Sequence, residues 1–236
     1  MTPISTQLAP LINKRICDLN LTLDNSFIPD LTTRLFKELN RVSLNHFHPK
    51  IYIGDDWFCP ENSMRISVPF YLLSPELKLL EKLKVGYVEG GTKTEAMKLL
   101  RHEAGHCFFH AYQLNKSIEC RKIFGSFGKP YNPDKYSKNP DSKDYVINLK
   151  DNYAQSHPEE DFAETFAIFI QNNSNWRIAY RNWPKAKAKL EFMERLIVKY
   201  SHQKPFIKVG KPLSEAKYLK RSLSRHYAKR TQELTH

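Results

Sequence analysis

Residues 99–110 read LLRHEAGHCFFH, and the spacing inside that stretch limits the fold more than any other feature of the chain. In an α-helix, positions i and i+4 share a face. His102 and His106 therefore point their imidazoles at one spot, and Glu103 stands one position round. Two imidazoles and an adjacent carboxylate in an H-E-x-x-H spacing are the donors and the general base of a hydrolytic zinc site. Two protein ligands leave such a site incomplete, so the fold has to press a second element against this helix. Ala104 and Gly105 fill the positions between the histidines. A helical glycine costs roughly 1 kcal/mol against alanine, and close approach of another backbone or of substrate is the reason Gly105 suggests. The bland reading is a buried helix with two satisfied histidines.

The third ligand has to come from elsewhere. His110 lies on the same face, but about 12 Å from His102 along the axis. One ion cannot span that distance, which leaves His110 as a supporting or core histidine. Tyr112 occupies the place, six residues after His106, where a histidine ligand beyond a glycine turn would stand. The better candidate lies in YAQSHPEEDFAETFA. Zincins of the Glu type take their third ligand from a following helix and commonly place a second acid four residues on. Glu160 and Glu164 have that spacing and share a face, and the resemblance assigns Glu160 as the ligand and Glu164 as the acid that orients a zinc-bound histidine. Glu159 and Asp161 compete for the role. They point about 100° off that face and read as acids that favour a helix N-terminus. Ala163 and Ala167 are small enough to let this helix press on Ala104 and Gly105. The expected site is one zinc ion on His102, His106 and Glu160, with water in the fourth position and Glu103 as general base.

Around this site the patterning predicts an α+β fold, mainly helical, with a small N-terminal β-sheet and two active-site helices, and the resemblance of the H-E-x-x-H helix to zincins makes the expected fold zincin-like. IPDLTTRLFKELNRV has helical spacing, with Asp30 as a candidate cap. KIYIGDDWF and MRISVPFYLL read as strands. Pro69 lacks a backbone donor and suits an edge, so the strand from Ile66 to Tyr71 is a place where an extended substrate could align. Ser74, Pro75 and Gly86 bracket a helix. A long helix starts near Thr92 or Thr94. Residues 121–150 show no periodicity and read as one long loop, a candidate cleft wall. Helices follow from Pro158, from Pro184, and over LSEAKYLKRSLSRHYAKRTQEL with Ser214 as cap. The domain reading is a metallopeptidase-like unit over 1–201 and a basic helical extension over 202–236.

Hydrophobic residues make up 41% and charged residues 26% of the chain, which favours a packed core over disorder. No apolar run nears the roughly 20 residues of a membrane span. The first residues lack a signal-peptide pattern, so a cytoplasmic location is expected. The four cysteines form no C-x-x-C pair and are expected to be buried free thiols. Net charge is +12. Nine Lys/Arg and one acid, Glu215, lie between Lys204 and Arg230. That run reads as a solvated basic helix or as a tail that contacts nucleic acid. A non-catalytic, zinc-stabilised regulatory or nucleic-acid-associated protein is therefore the alternative to an enzyme.

WFCPE, ISVPFYL, HEAGH, YNPDKYSKNPDSKDYV, YAQSHPEEDFAETFA and WRIAYRNWPKAKAKLEFM resemble the "putative zinc-binding metallopeptidases", a bacterial family, over most of residues 45–200. The resemblance implies a gluzincin-like fold, one zinc ion, and hydrolysis of peptide bonds in a protein or peptide substrate. Some relatives begin with a cysteine-paired zinc ribbon, which this chain lacks. The second helix also resembles that of lethal-factor-type toxin zincins, in which a tyrosine seven residues before the ligand glutamate assists catalysis. That position is Tyr153, a candidate donor to the oxyanion. The alternatives are a packed loop tyrosine at 153 and His157 in the same role.

Overall fold

The computed structural model describes residues 3–131 and 136–233. Nine helices and two strands follow in the order α1 (Pro3–Ile12), α2 (Ile28–Arg41), β1 (Lys50–Gly54), β2 (Arg65–Pro69), α3 (Pro75–Val85), α4 (Lys93–Ala111), α5 (Ile118–Phe124), α6 (Pro158–Ile170), α7 (Trp176–Ala179), α8 (Pro184–Tyr200) and α9 (Leu223–Glu233) among the described residues. The first N–H groups of a helix need acceptors from outside it, and the local sequence supplies them. Ser74 Oγ accepts from the amide of Leu77 at 3.1 Å, and Gly86 ends α3 at φ 92°. Thr92 Oγ1 accepts from the amide of Glu95 and donates to its carboxylate, both at 3.2 Å, so α4 begins on a reciprocal cap. For α2 the acceptor is Ser26 Oγ, 3.2 Å from the amide of Ile28. Asp30 is not the cap: it lies within the first turn and faces Lys93 at 3.8 Å.

The strands pair in parallel, Lys50 opposite Arg65 through Gly54 opposite Pro69. Pro69 closes β2, and Phe70–Leu73 turn into a 3-10 helix instead of extending the strand. The other edge of β2 is taken at its centre, where the Ser67 amide donates to Phe58 O at 2.8 Å. Ile66, Val68 and Phe70 are wholly buried. Residues 66–71 therefore offer no free edge on which a substrate strand could align, contrary to the sequence expectation. The expected 121–150 loop is also shorter at its start, because Ser117 Oγ caps the amide of Cys120 at 3.2 Å and begins α5.

The basic segment at the end is not one helix. Ser214 sits at φ 51°, a 3-10 turn covers Ala216–Tyr218, and α9 starts only at Leu223. Leu223 and Tyr227 join the same buried cluster as Leu35, Val68 and Phe108. Arg221 pairs with Asp55 at 2.6 Å, and Arg230 pairs with Asp56 at 2.9 Å and Glu81 at 3.1 Å. An antiparallel bridge joins Ser222 to Arg15. Among the described residues no helix is long and apolar enough to cross a membrane.

One buried ion pair fixes the position of α4. Arg101, the residue before His102, donates Nε and Nη2 to the two carboxylate oxygens of Glu38 on α2 at 2.7 and 2.8 Å. Both side chains are 4% exposed. Removing one member of such a pair leaves an uncompensated charge inside the protein. Glu38→Ala is expected to lower the free energy of unfolding by about 3–5 kcal/mol, read from the denaturant midpoint at unchanged slope. A loss below about 1 kcal/mol would mean that water relieves Arg101.

Candidate metal centre

The site is built where α4 and α6 touch. A Cβ added to Gly105 would lie 2.8 Å from Ala163 Cα and 3.1 Å from its carbonyl oxygen. That approach, together with the small Ala163, brings the first turn of α6 under the two histidines of α4. His157 caps α6: its Nδ1 accepts from the Glu159 amide at 3.2 Å, while its Nε2 faces the Lys129 carbonyl at 3.2 Å. Both of its ring nitrogens are thus engaged away from the site, so the structure does not place His157 as an oxyanion donor.

His102, His106 and Glu160 come together, with one ligand atom from each within 4.8 Å of the others. Glu160 Oε2 is 2.9 Å from His102 Nε2 and 3.2 Å from His106 Nε2, and the two Nε2 atoms are 3.1 Å apart. Each imidazole has its own carboxylate behind it. His102 Nδ1 donates to Glu164 Oε1 at 2.8 Å, and His106 Nδ1 donates to Glu159 Oε1 at 3.3 Å. With the protons on Nδ1, two neutral rings and a carboxylate turn bare lone pairs at one point. Three acceptors at such distances require a cation between them, and these residues can hold a metal ion.

Burial would lower the His102 imidazole, but hydrogen bonds from Glu160 and Glu164 outweigh it and lift the group to about 9. His106 is raised well above its usual value in the same way, against its burial, chiefly by the charge of Glu160. Glu160 is held below the usual carboxylate range by the two imidazoles despite burial.

Glu164 is wholly buried and its carboxylate is saturated. Besides His102 it accepts from the Asn148 amide at 3.0 Å, the Asn148 side chain at 3.0 Å and the Leu149 amide at 2.7 Å. The end of the loop before α6 thus anchors the acid that anchors the histidine. Glu103 is 6% exposed, and burial raises its carboxyl group above the usual range, opposed by the charges of His106 and His102. His110 does not reach the three cluster atoms. It meets Glu159 Oε1 at 3.5 Å, so Glu159 serves both His106 and His110. The ring of Tyr153 lies 5.7 Å from that of His102. Its hydroxyl is 2.5 Å from that of Tyr131.

Tyr131 and the two roles of Glu159 were not singled out in the sequence. Tyr131 sits in a stretch without periodicity, and only its place among residues matching the family resemblance marks it. Glu159 points off the Glu160 face of its own helix, and that offset aims it at His106 Nδ1. Asp161 turns the other way, to the buried Lys189 of α8 at 2.7 Å.

The two helices thus bring together a His-His-Glu set that can hold a metal ion. Residues 96–182 match the family model described as "Putative zinc-binding metallo-peptidase", the family that the sequence resembles. The match holds α4 from Ala96 onwards together with α5, α6 and α7, hence each of the cluster residues. No curated protein and no solved structure matches the chain significantly.

Two outcomes follow from the geometry. Gly105→Ala gains helix propensity of roughly 1 kcal/mol, but its methyl group meets backbone that cannot swing aside, and overpacking costs about 1–3 kcal/mol. A lower melting temperature together with weaker metal binding is expected, and an unchanged metal affinity would show that α6 can retreat without disturbing Glu160. Metal must also displace the proton that the His102 imidazole holds below about pH 9, so apparent affinity should rise from pH 6 towards pH 9. Titration against a chelator of known affinity checks the sign; an affinity flat across that range overturns it.

Proposed function

We propose that the chain is a zinc-dependent peptidase of gluzincin type, with a protein or peptide as substrate. The observation that supports this best is the convergence of two bare imidazole nitrogens and the Glu160 carboxylate, with the Glu103 carboxyl buried beside them. His102, His106 and Glu160 would hold one zinc ion. A bound zinc ion supplies Lewis-acid chemistry, lowering the pKa of water towards about 7 and polarising a carbonyl oxygen.

The chain's own residues divide the remaining work. Glu103 takes a proton from the attacking water and delivers it to the leaving amine. A carboxyl group raised by burial is suited to carrying that proton between the two steps. Glu164 and Glu159 keep the Nδ1 protons in place, which fixes tautomer and ring orientation. Burial, reinforced by the Glu160 charge, keeps the Tyr153 phenol protonated. Tyr153 acts as the donor to the oxygen that becomes negative, turning from Tyr131 to do so. His110 supports Glu159 from the side away from the cluster.

The alternative, a nucleic-acid-associated protein using its basic C-terminal segment, rests on charge alone. Arg221 and Arg230 already spend theirs on Asp55, Asp56 and Glu81. Lys204, Lys208, Lys211 and Lys220 remain exposed. Reversing these four charges tests that reading without removing Leu223 and Tyr227 from the core. A steep salt dependence of nucleic-acid affinity, lost in that variant, would support it.

The peptidase reading is tested by Glu103→Gln, which should keep the parent's metal content and lower cleavage of a peptide library by at least about 100-fold. Cleavage at the parent's rate would remove Glu103 from the mechanism. In the same assay Glu160→Ala should lose metal outright, whereas Glu159→Ala weakens it by about 10–100-fold. Equal metal content in those two variants would overturn the choice of ligand.

A further inference from the structure

We infer that Cys59 and Cys107 form an oxidation site, a thiol pair set to close into a disulfide that ties the segment after β1 to the metal-centre helix. Their sulfurs are 3.2 Å apart, and among the described residues they are the two sulfurs in contact. The inference goes beyond the peptidase reading and does not depend on it, because neither cysteine is a ligand or a proton carrier there.

The pair approaches β2 from two sides. Cys107 faces inward from α4, wholly buried, and its Sγ reaches the Arg65 carbonyl at 3.5 Å. Cys59 follows Phe58, whose carbonyl holds the Ser67 amide. Its Sγ lies 3.6 Å from both the Pro60 and the Ser63 carbonyls. A disulfide bond is about 2.0 Å long, so the sulfurs have roughly 1 Å to close. Cys107 is fixed by its helix, whereas Cys59 sits in an irregular stretch that can supply the movement. The other two thiols are placed differently: Cys17 Sγ faces Asp18 at 3.5 Å, and Cys120 is buried at the start of α5.

Exposure sets the order of events. Cys59 is half-buried and Cys107 is not exposed, so an oxidant meets Cys59 first. With a peroxide, the Cys59 sulfur attacks one peroxide oxygen, the O–O bond breaks, and one water leaves together with a sulfenic acid. Cys107 then attacks the Cys59 sulfur, the S–O bond breaks, and a second water leaves. Two thiols lose two electrons in all, and the peroxide gains them. Burial and the neighbouring Cys107 keep the Cys59 thiol well above its usual value, so little thiolate is present at rest and the reaction is slow at neutral pH.

The test exposes the full chain to hydrogen peroxide, unfolds it, alkylates the remaining thiols and maps the fragments by mass spectrometry. The expected product is two hydrogen atoms lighter than the parent and carries one linkage, between the fragments holding Cys59 and Cys107. It should revert with a thiol reductant, be absent in Cys59→Ser, and melt higher than the reduced chain by on the order of 5 °C, since the link closes a long loop. Circular dichroism confirms that Cys59→Ser is folded. Complete alkylation of both cysteines after the same exposure overturns the proposal, as does oxidation of Cys59 to a sulfinic acid without a link.

Discussion

The contact between Gly105 and Ala163 is the constraint on which the site rests. At 2.8 Å from a would-be Cβ to Ala163 Cα, the two helix backbones are as close as side-chain-free packing allows. That spacing lets the short glutamate of one helix reach imidazoles on the other. A larger residue at either place would move Glu160 back by more than the tolerance of a metal–ligand bond. The hydrophobic flank holds the approach in place: Phe108 stacks on Phe166 at 5.1 Å between ring centroids, and Phe109 meets Phe162 edge-on at 5.2 Å.

Carboxylates do most of the positioning around that contact. Glu38 seats Arg101 immediately before the first histidine, Glu164 seats His102, and Glu159 seats His106. The helix carrying the motif is thus held on two faces, that of Arg101 and that shared by His102 and His106, by acids that are not themselves ligands. Such an arrangement costs desolvation at every acid, and each offsets it with hydrogen bonds. Glu164, with four donors, is the fullest example.

Much of this was legible from helical period and capping chemistry. The i, i+4 rule gave His102 with His106 and Glu160 with Glu164, and glycine in mid-helix pointed to the closeness of α6. Ser74, Thr92 and the prolines at 158 and 184 marked helix starts where the structure has them. Other features were hidden because period-based reading sees only one element at a time. Glu159 looks misdirected on its own helix and is well aimed only with α4 in place. Arg101 with Glu38, and Asp161 with Lys189, are pairings between elements, invisible without the packing. The stretch after Ser214 has helix-forming residues, but Leu223 and Tyr227 must enter the core and Arg221 must reach Asp55. Those tertiary demands break the run into a turn and a shorter helix.

The bridge between Arg15 and Ser222 brings together segments from far-separated parts of the sequence, whereas α4 and α6 are linked by a far shorter stretch. Loop-closure entropy grows with the logarithm of separation, and non-local pairings form late. Folding thus has a natural order of assembly: the helix pair that carries the histidines and Glu160 closes first, and the strap formed by α9 and the Arg15 bridge is fastened last. A chain caught between those stages would carry a formed ligand set with Asp55, Asp56 and Glu81 still waiting for their arginines.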